Sequence, residues 1–254
     1  MKRNFKIALI IIRSILLFIL IWGGTITIVK NIHKVSLVEE FKSKAVYQED
    51  ISTASTKYYK IESNETTSTF TKKGRSVYPG NESDILVTTQ ALLGPEFVRG
   101  TISFLVGGHA AYVNGNYGDY SLPSISKGTT TIEATGLNEG DNLSDVFNSS
   151  YWIDANTYTE VIGLRIKMTD EQRREVNSSV CSMIGDPYNF SFVFDTVNKS
   201  YCSDIMYKTY RKIGINLNKD GFATTIFDLI SSSDTYISYY HVYKDDVKYI
   251  YYLG

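Results

Sequence analysis

The sequence is poor in the residues that build metal sites and disulfide frameworks. Its 254 residues include only 2 cysteines, 3 histidines and 4 prolines. Two cysteines cannot supply the paired spacing of a structural zinc site, and we expect neither a metal nor another cofactor. The small number of prolines beside 20 tyrosines is typical of a domain with aromatic-rich β-strands.

Acidic residues are absent from the first part of the chain. Residues 1–34 contain six basic residues and no acidic one, which leaves 20 basic against 27 acidic residues, a net charge of −7, in the remainder. An acidic body argues against nucleic acid as the main partner. With 43% hydrophobic and 21% charged residues, the chain can form a packed core and is not expected to be disordered.

Residues 7–29 are almost wholly apolar and long enough to cross a bilayer, which needs about 20 residues. Arg13 lies near one end, where a long side chain can reach the membrane interface. Basic residues in the preceding segment 1–6 predict a cytoplasmic tail, a single transmembrane helix and an extracellular body. A cleaved signal peptide is the alternative, but the bulky, β-branched exit of the span favours an uncleaved anchor.

The remaining chain divides into a spacer and a folded domain. Serine, threonine, lysine, glutamate and asparagine dominate much of 30–79 with little periodicity, which predicts a stalk or linker that holds the domain off the membrane. A short amphipathic helix over 35–46 is the one element expected there. The folded domain is predicted over residues 80–254.

Hydrophobic patterns within the domain predict a group of strands, then helices, then two more strands. A capping box at Thr169 and Gln172 begins the first helix, and the second begins at Cys202. Because strands and helices are grouped and do not alternate, the predicted fold class is α+β. The strands are predicted at 84–88, 101–106 with 109–113, 129–134, 161–167, 236–243 and 247–253.

Cys202 lies where a loop becomes a helix with apolar residues three and four positions apart. Unpaired N–H groups and the helix dipole favour negative charge in a first helical turn, which lowers the pKa of a thiol. The same N–H groups are the donors that an oxyanion requires. The alternative interpretation is a buried cysteine that packs as a small hydrophobic residue.

Cys181 lies beside Val180 and Ile184 on the preceding predicted helix, and a buried packing role is its expected interpretation. A disulfide between Cys181 and Cys202 is conceivable in an exported protein. Such a bond would block Cys202 as a nucleophile.

A thiol nucleophile needs a base and a group that orients this base. His33 lies at the predicted membrane surface and His241 within a terminal strand. His109 begins a strand directly after two glycines, where the backbone can approach closely and a side chain can face a cleft. Glu133 lies on the next predicted strand. Taken singly, His109 fits an ordinary polar or half-buried histidine better than a catalytic base, and Glu133 fits a solvated carboxylate better than an orienting group.

Six segments together resemble a known family. The segments are 83–87 (SDILV), 108–113 (GHAAYV), 132–134 (IEA), 163–166 (GLRI), 185–190 (GDPYNF) and 201–207 (YCSDIMY). Their order and spacing are similar to those of the permuted papain-like amidases of the YaeF/YiiX group, which are circular permutants of NlpC-type cell-wall hydrolases. The resemblance extends over roughly residues 80–220.

The resemblance implies a papain-like α+β core in which the histidine precedes the cysteine. It implies Cys202 as nucleophile, His109 as base and Glu133 as the orienting group. An active-site tyrosine also recurs in the family, and Tyr201, Tyr207 and Tyr210 remain alternatives for it. The implied activity is that of a cysteine amidase or endopeptidase acting on cell-wall peptide. Thioester chemistry on acyl-amide lipids and a catalytically silent binding module are the alternatives.

Overall fold

The computed structural model describes residues 2–65, 79–90, 107–114, 130–135, 144–148, 152, 156–192, 198–218, 221 and 223–254. The elements are, in chain order, α1 (Lys2–Ser43), β1 (Val46–Tyr47), β2 (Thr56–Ile61), β3 (Ile85–Thr88), β4 (His109–Asn114), β5 (Thr130–Ala134), β6 (Ser144–Asn148), β7 (Glu160–Ile166), α2 (Asp170–Cys181), α3 (Cys202–Arg211), α4 (Ile226–Ser231), β8 (Thr235–Lys244) and β9 (Val247–Leu253).

The strands form one nine-stranded sheet in the order β1-β2-β9-β8-β7-β3-β4-β5-β6. Neighbouring strands are antiparallel except β2 and β9, which run parallel, so the sheet is mixed. The grouping of strands and helices agrees with the predicted α+β class. The last hairpin turns at Asp245 and Asp246, whose φ angles of 51° and 60° are those of a tight hairpin turn.

Alternation along the strands divides the core between the two faces of the sheet. Ile85 and Val87 of β3 point to the face that carries the main core, to which α2, α3 and α4 contribute. Leu86 points to the other face and packs in a smaller cluster with Trp152 and Tyr158. A buried bidentate ion pair, with both N–O distances 2.8 Å, joins Arg165 of β7 to Asp84 at the start of β3.

The local sequence signals are confirmed where they fall on described residues. The Thr169 hydroxyl accepts a bond from the Gln172 N–H at 3.2 Å, and the Gln172 side chain accepts one from the Thr169 N–H at 3.0 Å. Within the domain predicted over 80–254, β6 and α4 are described elements that the sequence analysis does not predict, because they occupy segments that lack a clear hydrophobic period. The predicted strand at 101–106 and nearly all of the predicted loop at 114–128 lie outside the described residues.

The C-terminal part of α1 packs on the domain, and the prediction of a stalk is corrected for this segment. Val38 and Phe41 are buried in the main core, and α1 contacts α4 and β8. Lys34 forms an ion pair with Glu160 at 2.8 Å. These apolar residues lie among charged ones, and the helix they belong to extends without a break from the apolar run. The spacing of apolar residues in the sequence therefore predicts a helix, but it does not show which surface of the domain this helix packs against.

A second part of the predicted stalk is a strand of the sheet. β2 pairs with β9 over its whole length, from Thr56 opposite Lys248 to Ile61 opposite Leu253. Ile61 is buried in the main core. A parallel pairing between segments so distant in sequence has no local signature, because it depends on side chains of the partner strand. Residues 66–78 of the predicted stalk lie outside the described residues.

The first part of α1 contains the apolar run 7–29. Where the structure describes their side chains, several of its large apolar residues are exposed, among them Ile10, Leu17 and Ile28. No helix is long and apolar enough to cross a membrane when only the described residues are considered. The membrane span at 7–29 stays a prediction.

The packing of α1 on the domain predicts unequal effects for two substitutions on this helix. Phe41→Ala should lower the free energy of unfolding by about 3 kcal/mol, because it removes a ring that is only 7% exposed. Val35→Ala is the matched control, since Val35 is 49% exposed and its truncation should change the stability by less than about 0.5 kcal/mol. Urea denaturation in detergent measures both. Equal, small effects would contradict the docking of α1 on the core.

Candidate active site

Cys202 is the first residue of α3, as the sequence predicts. Its side chain is buried, and its Sγ lies 3.9 Å from the carbonyl oxygen of Gly108. Among the described residues, the preceding residue Tyr201 is extended and makes no side-chain capping bond to this helix end. The first-turn N–H groups of α3 are therefore not taken up by an N-cap side chain and are potential donors to a negative group at this helix start.

Two glycines bring the strand of His109 against this helix start. Gly107 and Gly108 have φ angles of 80° and 140°, which favour glycine. A Cβ atom on Gly108 would lie 1.9 Å from the carbonyl oxygen of Thr88. No larger residue can occupy this position. The close approach of the backbone that the sequence predicts at the two glycines therefore requires residues without a side chain.

His109 and Glu133 form a buried pair. The Nε2 atom of His109 lies 2.7 Å from Oε2 of Glu133, and the two side chains are 6% and 0% exposed. The other carboxylate oxygen of Glu133, Oε1, accepts bonds from the Trp152 indole N–H at 2.6 Å and from the Thr131 hydroxyl. Both oxygens are engaged, which fixes the carboxylate and through it the imidazole ring.

Trp152 also stacks on the His109 ring, with ring centroids 5.6 Å apart and planes at 12°. Trp152 thus packs against the face of the imidazole ring, while its indole N–H donates to the Glu133 carboxylate. Sequence reasoning does not assign Trp152 to the site, because it lies in a segment without periodicity. The sequence offers only the general rule that a buried tryptophan N–H finds an acceptor.

The electrostatic environment keeps His109 protonated. Burial alone would lower the pKa of the imidazole, because it disfavours the charged ring. Hydrogen bonding and charge attraction by Cys202 and Glu133 outweigh burial and raise the pKa of His109 to about 10. Since Glu133 engages Nε2, Nδ1 is the ring nitrogen left for the sulfur. The structure therefore joins a sulfur, an imidazolium and a carboxylate.

An aromatic cluster includes Tyr201, the residue before Cys202. The Tyr188 ring packs against Phe190 and Phe192 at centroid distances of 4.7 and 5.9 Å, and Phe192 packs against Tyr201 at 5.4 Å. Burial, together with the charge of Cys202, raises the pKa of Tyr188 well above its ordinary value, so its phenol stays neutral. Phe190 is the exposed member of the cluster.

Tyr188 is a site residue that sequence reasoning missed. Of the three predicted alternatives, Tyr210 donates to the Ser83 carbonyl and Tyr207 contacts Arg211 on the helix surface. Tyr201 lies next to Cys202, but its hydroxyl accepts a bond from the Thr224 N–H. The segment 185–190, one of the six that carry the family resemblance, contained the signal for Tyr188.

The other cysteine and histidines lie outside this constellation. Cys181 and Cys202, both in the described part of the chain, are free thiols, so the conceivable disulfide between them is not formed. His241 is buried in β8 with its Nδ1 3.0 Å from the Tyr239 hydroxyl, and His33 lies on α1. Within the described ranges, no group of three or more His, Cys, Asp or Glu side chains is arranged to hold a metal ion.

The pKa values of the two buried histidines should be shifted in opposite directions from the ordinary value of an imidazole. His109 should keep both ring protons from pH 6.5 up to about pH 10, whereas burial and the nearby charge of Lys248 lower the pKa of His241 well below 6.5. Ring nitrogen NMR shifts, recorded between pH 5 and 10, report each ring separately. A His109 signal that loses its second proton near pH 6.5 would contradict the pairing with Cys202 and Glu133.

The same pKa shift gives a pH-dependent stability. Because the pKa of His109 is higher in the folded state, stabilisation by the charged ring is complete below about pH 6.5 and is lost as the pH rises towards 10. Wild type and His109→Asn should therefore differ most in free energy of unfolding at low pH and converge on the alkaline side.

The comparison with known families agrees with this geometry. A family model described as permuted papain-like amidase enzyme, YaeF/YiiX, C92 family, matches residues 101–229. Comparison with curated proteins gives no match. The matched range includes His109, Glu133 and Cys202 and covers half of the 254 residues. The chain belongs to the permuted papain-like amidase family, as its six sequence segments predict.

Proposed function

We propose that the protein is a cysteine amidase that cleaves its substrate through a thioester intermediate. Cys202 is the nucleophile, His109 the general acid and base, and Glu133 the residue that orients His109. The observation that supports these roles is the buried contact of 2.7 Å between His109 and Glu133 beside a sulfur at a helix start. Amide hydrolysis is the reaction that the family membership favours.

The first half of the proposed reaction forms the thioester. The Cys202 thiolate attacks the carbonyl carbon, and the developing oxyanion is held by the backbone N–H of Cys202 at the start of α3. The phenol of Tyr188, which burial keeps neutral, is a candidate second donor. The His109 imidazolium gives its Nδ1 proton to the leaving amine, the C–N bond breaks, and an acyl thioester and a free amine result.

The second half releases the acid. Neutral His109 takes a proton from a water molecule, and the resulting hydroxide attacks the thioester carbonyl. The C–S bond breaks, which yields a carboxylic acid and restores the thiolate with its imidazolium partner. The sulfur is 1% exposed, so water reaches it only together with substrate or through movement of the neighbouring chain. This shielding protects the imidazolium–thiolate pair from bulk solvent.

We also propose that residues 7–29 anchor the protein in the membrane, with the tail 1–6 in the cytoplasm and the catalytic domain outside the cell. The exposed apolar side chains along the first part of α1 support an environment other than water for this helix. The basic residues that precede the run support the orientation. Cell-wall peptide is then the substrate that an extracellular amidase of this family would meet.

An acyl-amide lipid is a second candidate substrate, favoured by one structural observation. Residues 30–43, which directly follow the apolar run, pack on the domain instead of forming a spacer. An anchor that continues directly into the domain would keep the site near the bilayer surface. A membrane-embedded amide would be within reach of such a site.

The proposed roles predict that Cys202→Ala abolishes amide hydrolysis. Loss of the nucleophile removes the thioester route, and the rate should fall by more than about 10³-fold while the melting temperature changes little. Cys181→Ala is the matched control, since Cys181 lies on α2 away from His109, and it should retain activity. Release of amine from muropeptides or acyl-amides measures the rate. Undiminished hydrolysis by Cys202→Ala would refute the mechanism.

One assay distinguishes the two candidate substrates, cell-wall peptide and acyl-amide lipid. If wall peptide is the substrate, the detergent-solubilised protein should release new amino groups from muropeptides and leave N-acyl lipids in mixed micelles intact. Mass spectrometry of both reactions, with Cys202→Ala as the blank, separates the candidates. Turnover of the lipid alone would reject the peptide assignment, and turnover of neither by a protein with a reactive Cys202 thiol would favour the silent binding module.

A further inference from the structure

Residues 224–228, which lead into and form the first turn of α4, contact both halves of the catalytic centre. On the nucleophile side, the carbonyl oxygen of Thr224 accepts a bond from the Ser203 hydroxyl at 2.7 Å. The N–H of Thr224 donates to the Tyr201 hydroxyl, also at 2.7 Å. One residue therefore holds both chain neighbours of Cys202, and all of these groups are buried.

On the histidine side, the same segment packs against the glycine turn. The Phe227 ring lies so close to Gly107 that a Cβ atom there would be 2.6 Å from the ring. Gly107 precedes His109 by two residues. The carbonyl oxygen of the intervening Gly108 lies 3.9 Å from the Cys202 sulfur. The ring thus supports the backbone that sets the position of His109 relative to the sulfur.

Asp228 connects this segment to α1. Its Oδ1 lies 2.8 Å from the Lys30 ammonium, and its Oδ2 accepts bonds from the N–H and the hydroxyl of Thr225 at 2.8 and 2.5 Å. The carboxylate, whose side chain is 10% exposed, therefore fixes the first turn of α4 with one oxygen and α1 with the other. Thr224 lies just before that turn, and Phe227 lies within it.

We propose that residues 224–228 form a clamp that positions Cys202 against His109, and that α1 holds this clamp in place through Lys30. Thr224, Phe227 and Asp228 are positioning residues in this arrangement, and Lys30 acts on the site through them. The inference rests on the proposed roles of Cys202 and His109. The N-terminal helix accordingly helps to position the catalytic residues, and it is also a candidate membrane anchor.

The physical basis is the sensitivity of a thiolate–imidazolium pair to distance. Displacement of a reacting group by about 1 Å can cost 10²-fold in rate. Packed elements with a shared contact transmit such shifts, and substitutions along them change coupled sites several-fold. A second ion pair, Lys34 with Glu160, attaches the same helix to β7. It provides a matched control, because its loss weakens the docking of α1 away from the clamp.

The test uses the full chain in detergent, in a Cys181→Ala background, and measures the rate constant for alkylation of Cys202 by iodoacetamide against pH. Lys30→Met should lower the rate constant at pH 7 about tenfold and shift the profile towards that of an ordinary thiol, near pH 8.5. Lys30→Arg, which keeps the cation, should restore it. Lys34→Met should lower the melting temperature at least as much as Lys30→Met while it leaves the alkylation profile unchanged.

The outcomes separate the clamp from the mechanism that it serves. A wild-type profile already centred near pH 8.5 would refute the proposed thiolate–imidazolium pair. A reactive wild type whose profile is unchanged by Lys30→Met, or is changed equally by Lys34→Met, would overturn the clamp alone. If Lys30→Met does not fold, Phe227→Leu tests the clamp at its contact with Gly107, and a wild-type alkylation profile for this variant would equally overturn the proposal.

Discussion

The contact between the His109 imidazole and the Glu133 carboxylate, 2.7 Å apart and removed from water, constrains the surrounding architecture. A buried charge is costly unless it is paired and hydrogen-bonded. Glu133 meets that requirement with His109 on one oxygen and with Trp152 and Thr131 on the other. The register of β4 and β5, the two glycines before His109 and the position of Trp152 are all needed for this arrangement. The second ring nitrogen is then available to Cys202, which hydrogen-bonds to this imidazole.

Local signals predicted those parts of the site that depend on neighbours in sequence. The capping box at Thr169, the helix that begins at Cys202 and the glycine pair before His109 each act within a few residues, so their patterns can be read directly. The family resemblance added Glu133. Trp152 and Tyr188 were not predicted, because their roles depend on a carboxylate and a sulfur that only the folded chain brings close.

The larger departure from the sequence analysis concerns the residues before the domain. A polar composition predicted a spacer, whereas α1 and β2 cover the α4–β8 side and the β9 edge of the domain. Composition reports the average environment of a segment, and a few buried side chains such as Val38, Phe41 and Ile61 are enough to dock it. Contacts of α1 with α4 then connect the start of the chain to the residues around Cys202. The N-terminal helix, the sheet and the candidate site are thus parts of one structural unit.

The parallel pairing of β2 with β9 also determines when the fold can be completed. β2 is made early in synthesis, but its partner consists of the last residues of the chain, with Ile61 opposite Leu253. A contact over such a sequence separation forms slowly, because the entropy of loop closure is lost before the contact stabilises the fold. The edge of β2 that faces away from β1 therefore stays unpaired until β9 folds against it. Pairing with β9 is thus expected to be a late folding step, and it joins β1 and β2 to the rest of the sheet.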